Sequence, residues 1–292
     1  MAVEIITEES LQLASDFHHV KDEFIKRLEK QGLDHLLSPT PELGKKHIYA
    51  FDGKNKVLRY KTENILPSYQ SRRKPILFVF SNPHPESVSS GLFLSEPRSG
   101  VFWQRLYETG YFQISKDQLN LTSWDESTAK KLGKLMVKGE YGGGFLFYLS
   151  CLYPIPTRQM SDFDAIFKRG KELRNSIEKD SEKKLLRLIK RYKIENIVVF
   201  TIPLFSKLTS IRKPGWRGLI KQEGNFPNFP KAEHIKQRRA SLHLGGADIS
   251  DINVYMALDT GFNSKNLTNS QGEYYFSSIL AAIFERILAS TA

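Results

Sequence analysis

Cysteine is almost missing from this chain of 292 residues: Cys151 is the only one. A disulfide framework within the chain is therefore excluded, as is a cluster held by four thiolates, and a reducing compartment is the expected setting. Long apolar runs are missing too. None approaches the roughly 20 residues that a membrane-spanning helix needs, and Met1–Ser10 is acidic, without the basic-then-apolar pattern of a secretory signal. No internal repeat is visible. Acidic residues are in deficit, 32 Asp and Glu against 43 Lys and Arg, which leaves a net charge of +11 and a pI near 9.5. A surplus of that size suits a polyanionic partner such as nucleic acid or an anionic membrane.

What is present is enough apolar material for a sizeable core, 40% of the residues, in a chain long enough for one large or two modest domains. Leu11, Ala14, Phe17, Val20, Phe24, Ile25 and Leu28 recur at helical spacing and predict an amphipathic helix from about Glu8 to Lys30. His47–Phe51 and Val57–Tyr60 flank Asp52-Gly53-Lys54-Asn55 and read as a β-hairpin. Residues 1–70 are thus expected to form a helix-and-hairpin extension.

From residue 71 onward strands and helices alternate. Apolar strands are predicted at Ile76–Phe80, Gly142–Cys151, Ile197–Thr201 and Asn253–Leu258. Helical stretches are predicted at Phe163–Tyr192 and Tyr274–Leu288. The fold class implied is α/β, a three-layer sandwich around a small, mainly parallel central sheet. Between about 206 and 246 the pattern breaks into a basic, Pro- and Gly-containing insertion that holds Lys207, Arg238 and Arg239. It reads equally as solvated surface and as an arm that contacts phosphates.

The densest signal is Ile76–Phe112. A β-rich run ends in Ser81-Asn82-Pro83-His84-Pro85, a loop of small and polar residues follows, and then come Gly91-Leu92-Phe93-Leu94, Glu96-Pro97 and the helical Phe102-Trp103-Gln104-Arg105. A buried strand that delivers a turn at its C-terminal end places side chains in an α/β crevice. This order of parts resembles the uracil-DNA glycosylase superfamily, and within it the mismatch-specific uracil/thymine branch. That branch runs strand, Gly-Ile-Asn-Pro-Gly, small-residue loop, Gly-x-x-Phe, His-Pro, Arg-Phe-Trp. The likeness extends from Ile76 to the end of the chain.

The resemblance implies a role for each matching position. Asn82 would hold the attacking water, with Ser81 and Pro83 beside it in the pocket. His84 stands where uracil-only relatives carry a bulky Tyr and the mismatch branch a Gly, so its imidazole would collide with the C5-methyl of thymine. Phe93 would stack on the flipped base, although strict counting from Asn82 reaches Leu94. Phe145–Cys151 lacks the Asn with which uracil-specific relatives read the base edge, and Tyr148 or Ser150 is the candidate replacement. The second motif, His-Pro-Ser-Pro or Asn-Pro-Ser-Gly in relatives, is represented by Leu258-Asp259-Thr260-Gly261-Phe262-Asn263-Ser264-Lys265. Asp259 is the nearest substitute for the catalytic His or Asn, yet an ionised carboxylate would repel the leaving uracil anion. Phe262 is a candidate apolar wedge in the duplex. Asn263, Ser264, Lys265, Arg238 and Arg239 are candidate DNA contacts.

The resemblance implies a monofunctional DNA glycosylase for uracil or a related deaminated base. DNA is the expected partner and a membrane is not. Neither metal nor cofactor is expected, because the leaving group departs as an anion while the protein holds water under the sugar. The expected location is cytoplasmic, nucleoid-associated in a prokaryote or nuclear in a eukaryote. Two other readings stay open: a nucleic-acid-binding module that keeps the fold without the chemistry, and a hydrolase of nucleosides or small nucleotides.

Overall fold

The computed structural model describes residues 5–67, 72–93, 100–121, 124–168, 171–211, 239–257 and 274–290. Its centre is a five-stranded sheet built from β4 (Lys74–Phe80), β5 (Phe145–Cys151), β6 (Asn196–Val199), β7 (Arg239–Leu244) and β8 (Ala247–Met256). The spatial order is β5-β4-β6-β8-β7. The first four strands are parallel, and β7 closes one edge as the antiparallel arm of a hairpin with β8. Ile76–Val79 are wholly buried, as expected for a strand covered on both faces.

Helices cover both faces. On one, Phe78 packs against Phe102 of α3 (Gly100–Glu108) and Phe284 of α8 (Tyr275–Ala289). On the other, Tyr148 of β5 packs against Tyr192 of α6 (Lys171–Tyr192). Between these elements the chain forms α2 (Pro85–Ser90), α4 (Glu126–Lys138), α5 (Met160–Ile166) and α7 (Ile202–Leu208). The protein is therefore α/β with a mainly parallel central sheet between helical layers. Among the described residues no helix is long and apolar enough to cross a membrane.

The N-terminal segment departs from the expected single helix. Ile6–Gln12 form a strand, β1, and the helix α1 starts only at Phe17 and ends at Gln31. Phe17, Val20, Phe24 and Leu28 make its buried stripe, and Gly32 stops it in the left-handed conformation. β1 completes a three-stranded antiparallel sheet with β2 (Tyr49–Asp52) and β3 (Val57–Glu63). The misreading has a physical cause. β1 has exposed Glu8, Ser10 and Gln12 alternating with half-buried Glu9 and Leu11, so little apolar contrast separates it from a helical period. The predicted helix over 163–192 is likewise two helices, α5 and α6.

The basic segment over 206–246 is regular at both ends. Ser206–Leu208 finish α7 and Arg239–Leu244 form β7, while 212–238 lie outside the described residues. Lys207 is not left to meet a phosphate: its Nζ lies 3.0 Å from Glu178 and 3.2 Å from Glu182. Burial works against the Lys207 cation, but these two carboxylates outweigh it and raise its pKa.

Beyond β3 the chain pairs with the edge of the main sheet through an antiparallel bridge, Ile65 to Leu149. That register sets Glu63 across from Cys151. Glu63 is 1% exposed, and its Oε2 has no hydrogen-bond partner among the described residues. Burial drives its pKa well above 4.5, and the Cys151 thiol is pushed up by burial and by Glu63. A carboxyl that stays protonated when folded weakens the fold as pH rises from its unfolded value toward its folded one, because the unfolded chain releases a proton that the folded chain keeps. Glu63→Gln, a neutral isostere, should leave stability unchanged near pH 4. Above pH 4.5 it should exceed the wild type by a margin that grows by up to about 1.4 kcal/mol per pH unit. Urea unfolding at pH 4, 6 and 8 measures this, and parallel pH profiles for the two proteins would show that Glu63 is ionised when folded.

Candidate active-site crevice

Successive crossovers run in opposite directions, from β4 to β5 on one side and from β5 back past β4 to β6 on the other. The C-terminal ends of β4 and β6 therefore form the crevice where open α/β sheets bind ligands. Ser81-Asn82-Pro83-His84 occupies the β4 end of that crevice.

The turn is held by the segment that follows β5. Backbone pairing runs past the strand ends: Leu152 N–H donates to Phe80 O, Tyr153 N–H to Ser81 O, each at 2.8 Å, and Thr157 N–H to Pro83 O at 3.1 Å. The Asn82 side chain completes the clamp. Its Nδ2 donates to the Thr157 carbonyl and to Thr157 Oγ1 at 2.9 Å. Thr157 Oγ1 donates in turn to Gln159 O at 3.1 Å. A carbonyl only accepts, so the atom facing it must be the NH2 group, and the orientation of the amide is fixed by chemistry. Oδ1 is left with no hydrogen bond among the described residues.

His84 caps the start of α2 and accepts Val88 N–H at its carbonyl, 3.0 Å away. Its Nδ1 lies 3.1 Å from Glu86 Oε2, and Glu86 Oε1 accepts from Arg158 at 2.8 Å. The imidazole is thus part of a charged cluster that ties α2 to the loop after β5. Thr157 and Arg158 carried no motif that sequence reasoning would single out. The signal was indirect: Pro154 and Pro156 mark an irregular segment after a buried strand.

The other pocket candidates separate. Phe93 is 2% exposed, with its ring 5.5 Å from Phe80 and its carbonyl accepting from Trp103 Nε1 at 3.2 Å. Phe80 stacks on Phe200 at 5.0 Å, and Phe200 on Phe276 at 5.9 Å. These rings form an aromatic layer beneath the crevice on the α3 and α8 face. Tyr148 lies on the opposite face: its neighbour Phe147 packs on Phe78 at 5.3 Å, and strand alternation turns Tyr148 toward α6. Burial, with Tyr192 adding, pushes its phenol up to about 12. Phe93 and Tyr148 are not brought together.

Arg239 opens β7 opposite Tyr255, near the C-terminal end of β8, so it lies at the same end of the sheet as Asn82, where the parallel strands terminate. Three strand spacings separate β7 from β4, about 14 Å. Its exposed guanidinium donates to Asn253 Oδ1 at 2.7 Å. β8 also terminates at this end, where Ala257 N–H donates to Val199 O at 2.9 Å. Arg238, Asp259, Phe262, Asn263, Ser264 and Lys265 lie outside the described residues. Among the described residues no group of three or more His, Cys, Asp or Glu side chains is placed to hold a metal ion.

No protein-family model matches the chain, and no curated protein matches it either.

Two substitutions test this geometry. Thr157→Val removes the hydroxyl from the clamp and should cost about 1 kcal/mol of stability. Phe93→Ala empties a place in the aromatic layer and should cost about 3–5 kcal/mol. Both are read from urea midpoints, and a near-neutral Phe93→Ala would show that the ring is not packed as core.

Proposed function

We propose that this protein is a monofunctional DNA glycosylase that removes uracil, or a related deaminated base, from DNA. The observation that carries the reading is the anchored Asn82 amide at the C-terminal end of β4. With Nδ2 committed to Thr157, the group presented is an acceptor that cannot rotate away. Such an oxygen holds a water by one of its hydrogens and aims the water's lone pair. An amide is a weak base, so its contribution is position, and this suits a reaction whose sugar develops cationic character before the water bond is complete.

In the proposed step the C1′–N1 bond breaks and the pair of electrons leaves with uracil. Water oxygen bonds to C1′ and gives its proton to solvent, and the uracil anion is protonated in its turn. The base must first leave the stack, for which Phe262 is the candidate wedge. The net charge of +11 supplies attraction to the phosphate backbone. Arg239, at the crevice end of the sheet, is a candidate contact.

A second reading, a nucleic-acid-binding module without chemistry, draws on the same clamp. An NH2 group whose two hydrogens are spent on the carbonyl and hydroxyl of Thr157 is that of a residue that fastens one loop to another.

The two readings separate on oligonucleotides that carry one uracil, single-stranded, opposite adenine or opposite guanine, incubated with the protein in a chelator and then cleaved with alkali. A glycosylase yields alkali-labile abasic sites. Asn82→Ala should slow release by about 10²–10³, the loss typical of one positioned polar group, with DNA affinity retained. Thymine release from a G·T mismatch should be negligible beside uracil release. Binding without base release would leave the module reading, and absence of both would dismiss the two together.

A further inference from the structure

A second cavity lies away from the crevice, between α6, the end of β5 and the tail of β3, with a volume of about 230 Å³. No residue of the Ser81–His84 turn lines it. Its composition is two-sided. Leu66, Leu152, Leu185 and Tyr192 supply an apolar wall. The other wall carries hydrogen-bonding groups and cations.

The polar groups are few and placed. Thr62 is 2% exposed, and its hydroxyl makes no side-chain hydrogen bond among the described residues. Ser150 is 7% exposed and donates its hydroxyl to Asn64 Oδ1 at 2.7 Å. That bond fixes the Asn64 amide and leaves its Nδ2 hydrogens to donate elsewhere. Buried polar groups are normally paired, so unspent hydrogen-bonding capacity around a cavity points to a polar ligand.

The charges give its sign. Lys184, Arg187 and Arg191 stand along α6 at spacings of three and four, on one face of the helix. The only carboxylate lining the cavity among the described residues is Glu9. It is already held by Lys184 Nζ at 2.6 Å and by the Tyr60 hydroxyl at 2.8 Å. Arg187 and Arg191 have no carboxylate partner among the described residues. The mouth therefore carries three cations and one anion, a formal surplus of two positive charges.

We infer that this cavity binds a small phosphomonoester, with its phosphate between the two arginines and its organic body against the Leu185 and Tyr192 wall. A phosphomonoester carries nearly two negative charges at neutral pH, which matches the surplus, and guanidinium forks suit its oxygens. The cavity is smaller than the roughly 300–1,000 Å³ of drug-sized sites, so the ligand is of sugar-phosphate or mononucleotide size. This inference does not rest on the glycosylase reading, because the two sites share no residue.

The probes are AMP, ribose 5-phosphate, inorganic phosphate and adenosine, titrated calorimetrically into the full-length protein at fixed ionic strength. AMP and ribose 5-phosphate should bind, with inorganic phosphate weaker and adenosine silent. Arg187→Ala with Arg191→Ala should weaken AMP by about tenfold or more, the loss of at least one charge-assisted hydrogen bond. Thr62→Val should also weaken it, while both variants keep the thermal midpoint of the free protein within a few degrees. Absence of heat with every phosphate at millimolar concentration overturns the inference. So does equal binding by the double variant, which would place the phosphate elsewhere, or binding of adenosine as tight as that of AMP, which would leave the cations without a role.

Discussion

The parallel ladder on both sides of β4 is the constraint on which the rest of the molecule depends. β4 is hydrogen-bonded to β5 along its whole length and to β6 at Leu77–Val79. Its residues Ile76–Val79 are wholly buried, so the backbone has no water to turn to and must be paired within the sheet. Pairing with β5 does not stop at the strand ends. It continues through Ser81 and Pro83 into Tyr153 and Thr157. A turn that would otherwise be a surface loop is thereby held as rigidly as the sheet that launches it. This is what a positioned polar group needs, since small displacements of a reacting pair are costly.

Two polar arrangements show how the fold treats charge that it takes partly or wholly out of water. Glu178, Glu182 and Lys207 join α6 to α7, and the Tyr153 hydroxyl adds a bond to Glu178 at 3.1 Å. Burial opposes the Glu178 carboxylate, yet Lys207 and Tyr153 outweigh it and hold its pKa below the usual range. Glu63 has no such partner among the described residues, and burial raises its pKa instead, which favours the neutral carboxyl. The same cost of desolvation is met by pairing in one place and by neutralisation in the other. The paired group sits between two elements that must stay docked. The neutral one sits where the small antiparallel sheet meets the edge of the large one.

Legibility in the sequence followed local contrast. Ile76–Phe80, Phe145–Cys151 and Ile197–Val199 are dense in branched and aromatic residues, and each is a strand in the structure. The α1 stripe was legible from Phe17 onward because four large apolar residues repeat at helical spacing. β1 and β7 were not, since both are edge strands: in β1 exposed positions alternate with half-buried ones, and in β7 only Leu242 and Leu244 are buried. Edge strands are defined by their neighbours more than by their residues. At the candidate site Asn82 stood out because Asn-Pro ends an apolar run. Thr157 did not, because nothing local distinguishes a threonine that receives a side chain 75 residues away.

By itself the sequence determined the class of the fold, the position of the turn after β4, the excess of positive charge and the absence of a disulfide within the chain, because each depends on composition or on contrast between near neighbours. Tertiary structure alone decided which groups meet. It put Phe93 and Tyr148 on opposite faces of one sheet, and fastened the Asn82 amide to Thr157. It set Glu63 across from Cys151, and left Arg187 and Arg191 beside a cavity. Those outcomes rest on strand order and register, which are settled by the packing of whole elements against one another. No residue carries them in its own identity or in that of its neighbours along the chain.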